Sequence, residues 1–172
     1  ASVATDTLVL VDWSGSSITW QQSTNSGVSW TSAVGSNDSL YFSGLATTTW
    51  YRVLVGGGGE CLDVYSDTAI ITIYEDSDAG VLMSDAIICL GEPTDLNLVA
   101  PTGTFFQWES SQDLNVWNPL ISGVTNHTVS PVVATNYRVI VQNAICQPDT
   151  SNVVLVTVNP LPTVDAGMSI VM

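Results

Sequence analysis

The chain repeats itself. Leu8-Val9-Leu10-Val11 is answered by Leu96-Asn97-Leu98-Val99, Trp20-Gln21-Gln22-Ser23 by Trp108-Glu109-Ser110-Ser111, and Val28-Ser29-Trp30 by Val116-Trp117 with one residue dropped. Gly35 then matches Gly123, Tyr51-Arg52-Val53-Leu54-Val55 matches Tyr137-Arg138-Val139-Ile140-Val141, and Cys61, Ser66 and Asp78-Ala79-Gly80 match Cys146, Ser151 and Asp165-Ala166-Gly167. The offset drifts between 85 and 88 residues, so the length changes sit in turns. Ordered self-similarity constrains the fold more than any composition does, because whatever the first copy builds the second must build too. The 172 residues divide into 1–79 and 80–167, with 168–172 beginning a following repeat or forming a tail. Ala1 falls where the first module should carry the counterpart of Cys89. The expectation is therefore a segment of a longer tandem array.

Within each module the hydrophobic period is two. Tyr51, Val53 and Val55 alternate with Arg52 and Leu54, and Tyr137, Val139 and Val141 with Arg138 and Ile140. Ile18 and Trp20 alternate with Thr19 and Gln21 in the same way, as half-buried strands do. Turn residues punctuate the chain at Ser14-Gly15, Asn25-Ser26-Gly27, Gly35 to Asp38, Gly56 to Gly59 and Pro101-Thr102-Gly103. Runs with a helical period are missing. Roughly seven short strands per module, with a tryptophan on an early strand and a tyrosine opening a late one, is an immunoglobulin-like pattern. The expected fold is all-β: two tandem immunoglobulin-like β-sandwich domains.

Charge and functional residues narrow the chemistry. Sixteen acidic residues face two arginines and no lysine, for a formal charge of −14. Nucleic acid needs clustered cations to neutralise phosphate, and so does an anionic membrane surface, so neither is an expected partner. Only 10% of residues are charged and 45% are apolar, which separates the chain from acidic disordered tails. No apolar run approaches the ~20 residues that span a bilayer, so no membrane insertion is expected. Nor does the sequence open on a basic and apolar signal peptide. One histidine, His127, no lysine, and no phosphate loop, zinc-protease or nucleophile-elbow motif leave little for catalysis. No enzyme activity and no obligatory cofactor are expected. Trp20 and Trp108 read as core residues, and Trp30 and Trp117 as a cover over that core. Arg52 and Arg138 read as partners of nearby carboxylates.

The second module carries Ile88-Cys89-Leu90-Gly91, Gln107-Trp108 through Val116-Trp117, Ala134-Thr135-Asn136-Tyr137-Arg138-Val139, Cys146, Ser151-Asn152-Val153 and Val158-Asn159-Pro160-Leu161-Pro162. In that order and spacing it resembles the Ig-like tandem repeats of large secreted Bacteroidetes cell-surface proteins, the gliding-motility adhesin type exported by type IX secretion. The resemblance covers nearly all of the second module and most of the first, which lacks the opening Ile-Cys-x-Gly. It implies an extracellular place on the bacterial cell surface and a structural or adhesive role, as a stiff stalk or filament of a glycoprotein. The implied partners are neighbouring repeats or copies of the same protein, and surface glycans or proteins. The alternative is a carbohydrate- or protein-binding module of a secreted protein.

The residues give further site expectations, and the resemblance adds O-glycosylation to them. Oxidising surroundings favour a disulfide between Cys89, at the opening of its module, and Cys146, after the penultimate strand, with Cys61 left over. O-glycosylation, attached at Asp-Ser/Thr followed by an apolar residue, has candidates at Thr7, Ser39 and Thr68. The aromatics that the two modules do not share, Trp13, Tyr41, Trp50, Tyr65, Tyr74 and Phe105, are the better candidates for stacking on a ligand, with Trp13, Trp50, Tyr65 and Phe105 put first. Phe105 is expected to face outward, opposite Phe106. Asp76 and Asp78, in an acidic stretch placed at the junction, are the weak candidates for Ca²⁺. The apolar residues Met168 to Met172 could add as a strand to a neighbouring chain.

Overall fold

The structure is a computed structural model and describes residues 5–35, 37–83, 86–164 and 167. It divides into two compact units, Ala1–Tyr74 and Glu75–Met172. Unit 1 contains β1 (Thr5–Val9), β2 (Ser17–Ser23), β3 (Thr31–Ser32), β4 (Ser39–Ser43), β5 (Thr49–Gly56), β6 (Val64–Tyr65) and β7 (Ala69–Ile71). Unit 2 contains β8 (Val81–Leu82), β9 (Ala86–Cys89), β10 (Thr94–Val99), β11 (Phe105–Ser111), β12 (Asn118–Ser122), β13 (Asn126–Val129), β14 (Thr135–Gln142), β15 (Asp149–Thr150) and β16 (Val154–Asn159).

Each unit is a sandwich of two sheets. In unit 2 one sheet runs β13-β10-β8 and the other β12-β11-β14-β16-β9, with β15 also paired to β14. All these pairings are antiparallel except β9 with β16, which is parallel. Unit 1 repeats the plan with β1-β4 facing β3-β2-β5-β6, and β7 paired to β5. This is the immunoglobulin-like arrangement in both units.

The period of two places the core. Along β14, Thr135, Tyr137, Val139 and Val141 are buried while Asn136, Arg138, Ile140 and Gln142 face outward. They meet Leu82, Ile88, Leu96, Leu98, Trp108, Val129, Val154 and Val156 in one cluster. Unit 1 packs Trp20, Leu40, Phe42, Tyr51, Val53 and Val55. Both core tryptophans find an acceptor for the indole N–H, Trp20 on the Asn37 carbonyl at 3.1 Å and Trp108 on the Val124 carbonyl at 2.9 Å. Phe105 is exposed and Phe106 packs against the core, as the alternation predicts.

Two matched serines explain breaks in the ladders. The Ser151 hydroxyl accepts the Val139 N–H at 2.9 Å and donates to the Asn152 carbonyl, interrupting the last strand between β15 and β16. Ser66 does the same for Val53 between β6 and β7. Such a buried N–H has to be satisfied by something, and here a side chain does it.

The module boundary differs from the expected 79/80. Glu75 to Gly80 belong to unit 2. Asn143 donates its amide to the Glu75 carbonyl at 2.9 Å and its backbone N–H to the Ser77 hydroxyl, while Asp78 pairs with Thr102. Ala79 is buried, its N–H held by the Asp149 carboxylate at 2.9 Å. The Asp-Ala-Gly sequence thus opens a module instead of closing one, and the acidic stretch is not a free junction. The expected piece 168–172 lies outside the described residues.

The described strands of the two units also differ in number. By the alignment β1 is the counterpart of β10 and β7 of β16. The described residues of unit 1 contain no counterpart of β8 or β9. In the cores Leu96, Leu98, Val154 and Val156 are buried, while their counterparts Leu8, Leu10, Ala69 and Ile71 are partly so.

Candidate functional site

The outward faces of β5 and β14 carry the arginines. On β14, Arg138 lies opposite Glu109 of β11, and its Nε donates to the Glu109 carboxylate at 2.7 Å. Its guanidinium sits 4.0 Å from the centre of the Trp117 ring. On β5 the same register places Arg52 opposite Gln21, which accepts from its Nε at 2.8 Å. Here the guanidinium lies between two rings, Trp30 at 4.0 Å and Tyr65 at 3.9 Å. Trp30 reaches it from the β3 side and Tyr65 from β6, on opposite flanks of the strand. A cation over an aromatic face is held by the ring's quadrupole, by about 0.5–1 kcal/mol at exposed sites. In unit 2 the Tyr65 position is Thr150, so the carboxylate takes over where one ring is missing.

Trp30 and Trp117, expected as a cover over the core, are half-buried. They lie on the outer face, each laid over its arginine. The expected carboxylate partner is present for Arg138, while for Arg52 the aligned residue is an amide. The covariation of glutamate with threonine and of glutamine with tyrosine was present in the sequence as two unequal columns, but only the strand register shows that they meet at one arginine.

Of the unshared aromatics, Trp50 and Tyr65 fall on the sheet face that holds Arg52. Gly27 lies against the rings of both Trp30 and Trp50, where a Cβ would come within 3.3 Å of Trp50. Trp13 is in the loop between β1 and β2, and Phe105 opens β11 in unit 2. Tyr65 already spends a face on Arg52.

The cysteines are not paired as expected. Cys89 ends β9 beside Asn159 of β16, at the end of the sheet where β14 begins. Cys146 follows the far end of β14, with its thiol 3.3 Å from the Glu75 carbonyl. The eight residues of β14 separate them, about 25 Å at about 3.3 Å per residue. A disulfide needs Cα atoms within about 7 Å. Both are free thiols, as is Cys61, which sits in the turn equivalent to that of Cys146.

The other expectations resolve as follows. The Asp78 carboxylate accepts the Gly80 N–H at 2.8 Å. No group of three His, Cys, Asp or Glu side chains close enough to hold a metal is found among the described residues, so Asp76 and Asp78 are not part of one. Thr7, on β1, and Thr68, between β6 and β7, are exposed, while Ser39 at the start of β4 is half-buried. His127 packs its ring 5.6 Å from that of Trp108, and burial pushes its pKa below the ordinary histidine value. Asp113 is held below the usual carboxylate range by the N–H groups of Val116 and Asn115, which its carboxylate accepts at 3.0 and 2.9 Å. Asp113 and Tyr137 line a shallow groove of about 510 Å³ in unit 2 with Ser111, Val116, Pro131 and Val133. Within that lining the Ser111 hydroxyl donates to the Asp113 carboxylate at 3.2 Å and accepts the Leu114 N–H at 2.9 Å.

Comparison with known proteins agrees with the division into modules. A family model described as "Domain of unknown function (DUF8696)" matches residues 1–75 and again 78–160. No curated protein matches the chain. The chain belongs to the DUF8696 family, and carries two copies of its domain.

Proposed function

We propose that this chain, as a two-module member of that family, is a structural and adhesive segment of an extracellular bacterial surface protein, in which the modules serve as the beads of a stiff stalk. The observation that carries the reading is where the backbone enters and leaves unit 2. It enters at Glu75 to Ser77, against Asn143 beyond the end of β14, and leaves at Asn159, beside Cys89 at the opposite end of the same sheet. A module entered at one end and left at the other lengthens a chain with every copy added. The acidic surface, with both cations absorbed by their own sheet faces, discourages such chains from clumping.

Partners on this reading are neighbouring repeats or further copies, and glycans or proteins on the surface that the stalk reaches. The chain contributes no chemistry of its own. Immunogold labelling of intact source cells with antibody to this chain tests it. Label standing away from the envelope is expected, whereas label seen only in permeabilised cells overturns the proposal.

A carbohydrate- or protein-binding role is the second reading, favoured by the outward aromatic face of Trp30, Trp50 and Tyr65. A glycan array settles it: specific binding lost in Trp50→Ala would support it, and a blank array would count against a glycan.

A further inference from the structure

Arg52 carries a charge that no carboxylate of the described residues meets. In unit 2 the strand register sets Arg138 opposite Glu109, and the carboxylate takes its Nε at 2.7 Å. In unit 1 the same register sets Arg52 opposite Gln21, whose Oε1 takes the Nε at 2.8 Å without supplying a charge. Trp30 and Tyr65 hold the guanidinium between their rings, at 4.0 and 3.9 Å. A ring attracts a cation without accepting its in-plane hydrogens. The Nη hydrogens of Arg52 find no acceptor among the described residues. The Gln21 amide, its oxygen committed to Nε, keeps an NH2 group as a further donor beside them.

The surroundings favour an anion at this edge. The residues that share the sheet face, Thr19 and Gln21 on β2, Trp50 and Leu54 on β5, Tyr65 on β6 and Ile70 on β7, carry no carboxylate, although the chain has sixteen. The β5 backbone is paired with β2 on one side and with β6 and β7 on the other, so a peptide cannot add there as a strand, and only side chains face a ligand. Trp50 stands two residues along β5 from Arg52, about 7 Å away. It is half-buried, while Tyr65 and Ile70 beside it are exposed. Aromatic and apolar surface with a few placed polar groups suits a sugar, whose ring presents an apolar C–H face between its hydroxyls. We propose that this face of unit 1 binds an acidic sugar. The carboxylate of a uronate residue forks onto the Nη groups of Arg52, supplying the charge that Glu109 supplies to Arg138, while a neighbouring sugar ring lies on Trp50. A planar carboxylate matches the guanidinium fork. The formal charge of −14 opposes such a ligand at a distance, but physiological salt screens that repulsion beyond about 8 Å and leaves the direct contact inside that range. The inference rests on the carbohydrate reading and names the class of sugar.

The test is titration of the chain with a galacturonate tetramer at physiological ionic strength, followed by calorimetry and by the arginine Nε–H resonances. With two arginines in the chain, those resonances separate the modules. The Arg52 signal is expected to move and the Arg138 signal to stay. The same tetramer with its carboxylates reduced to alcohols, and tetraglutamate as an acidic peptide, should each bind at least about tenfold more weakly. Gln21→Glu gives Arg52 the internal carboxylate that Arg138 already has, so unit 1 should keep its denaturation midpoint while affinity for galacturonate falls at least about tenfold. Equal binding of the reduced tetramer overturns the carboxylate and leaves the carbohydrate reading standing. Tetraglutamate that binds as tightly overturns the sugar in favour of an acidic peptide. Binding that survives Gln21→Glu, or that moves the Arg138 signal instead, overturns the site. A chain that takes up neither tetramer overturns the proposal, and with a blank glycan array the carbohydrate reading falls with it.

Discussion

Val139 and Val53 each hand a buried N–H to a serine hydroxyl, and that single bond decides how the last strand is cut. Ser151→Ala leaves the Val139 N–H without a partner and should cost about 1–3 kcal/mol in chemical denaturation of unit 2. Ser151→Thr, which keeps the hydroxyl, should cost less. His127 gives a pH dependence of known sign. Burial favours its neutral form, so its folded pKa lies below the unfolded value and the unfolded chain takes up the proton first. Its contribution is complete above about pH 6.5 and is lost as the pH falls below that, towards its folded pKa. The acid side of the stability profile should flatten in His127→Gln, measured by denaturant midpoints between pH 7.5 and 5. The matched serines stood out in the sequence as a repeat, but their role did not, because a hydroxyl's partner 12 or 13 residues away on the neighbouring strand leaves no local trace.

At the scale of elements, the alternation on β5 and β14 made the inner and outer faces legible, and with them the core positions of Trp20 and Trp108. The cover of Trp30 and Trp117 was not legible, since each lies outside the alternating strands and is placed by its arginine. The cysteine pairing failed for a related reason: alignment tells which strand a residue borders, but not at which end of the sheet it comes to rest. The two arginine clamps differ in kind, and this can be measured. Trp30→Ala and Tyr65→Ala should each cost unit 1 about 0.5–1 kcal/mol, and a double-mutant cycle of either with Arg52→Ala should show coupling. In unit 2 the Glu109 pair should lose strength in high salt, as half-exposed ion pairs do, while the stacking on Trp117 persists.

Over the whole molecule, the repeat made the two-domain division readable, and only the boundary moved, because Asp78-Ala79-Gly80 docks forward onto unit 2. The incompletely covered core of unit 1 should make it the weaker of the two. Exchange of the Val53 amide should be faster than that of Val139. With sixteen acidic residues against two arginines, moderate salt should raise the stability of both units by relieving self-repulsion. The parallel pairing of β9 with β16 has a mechanical consequence. When unit 2 is pulled between Glu75 and Asn159, the load drags β9 by its leading end and β16 by its trailing end, so the two slide along each other. Their hydrogen bonds from Val156 to Asn159 lie across that motion and must rupture together instead of peeling one at a time. A bead wired this way should yield abruptly and at high force when stretched end to end.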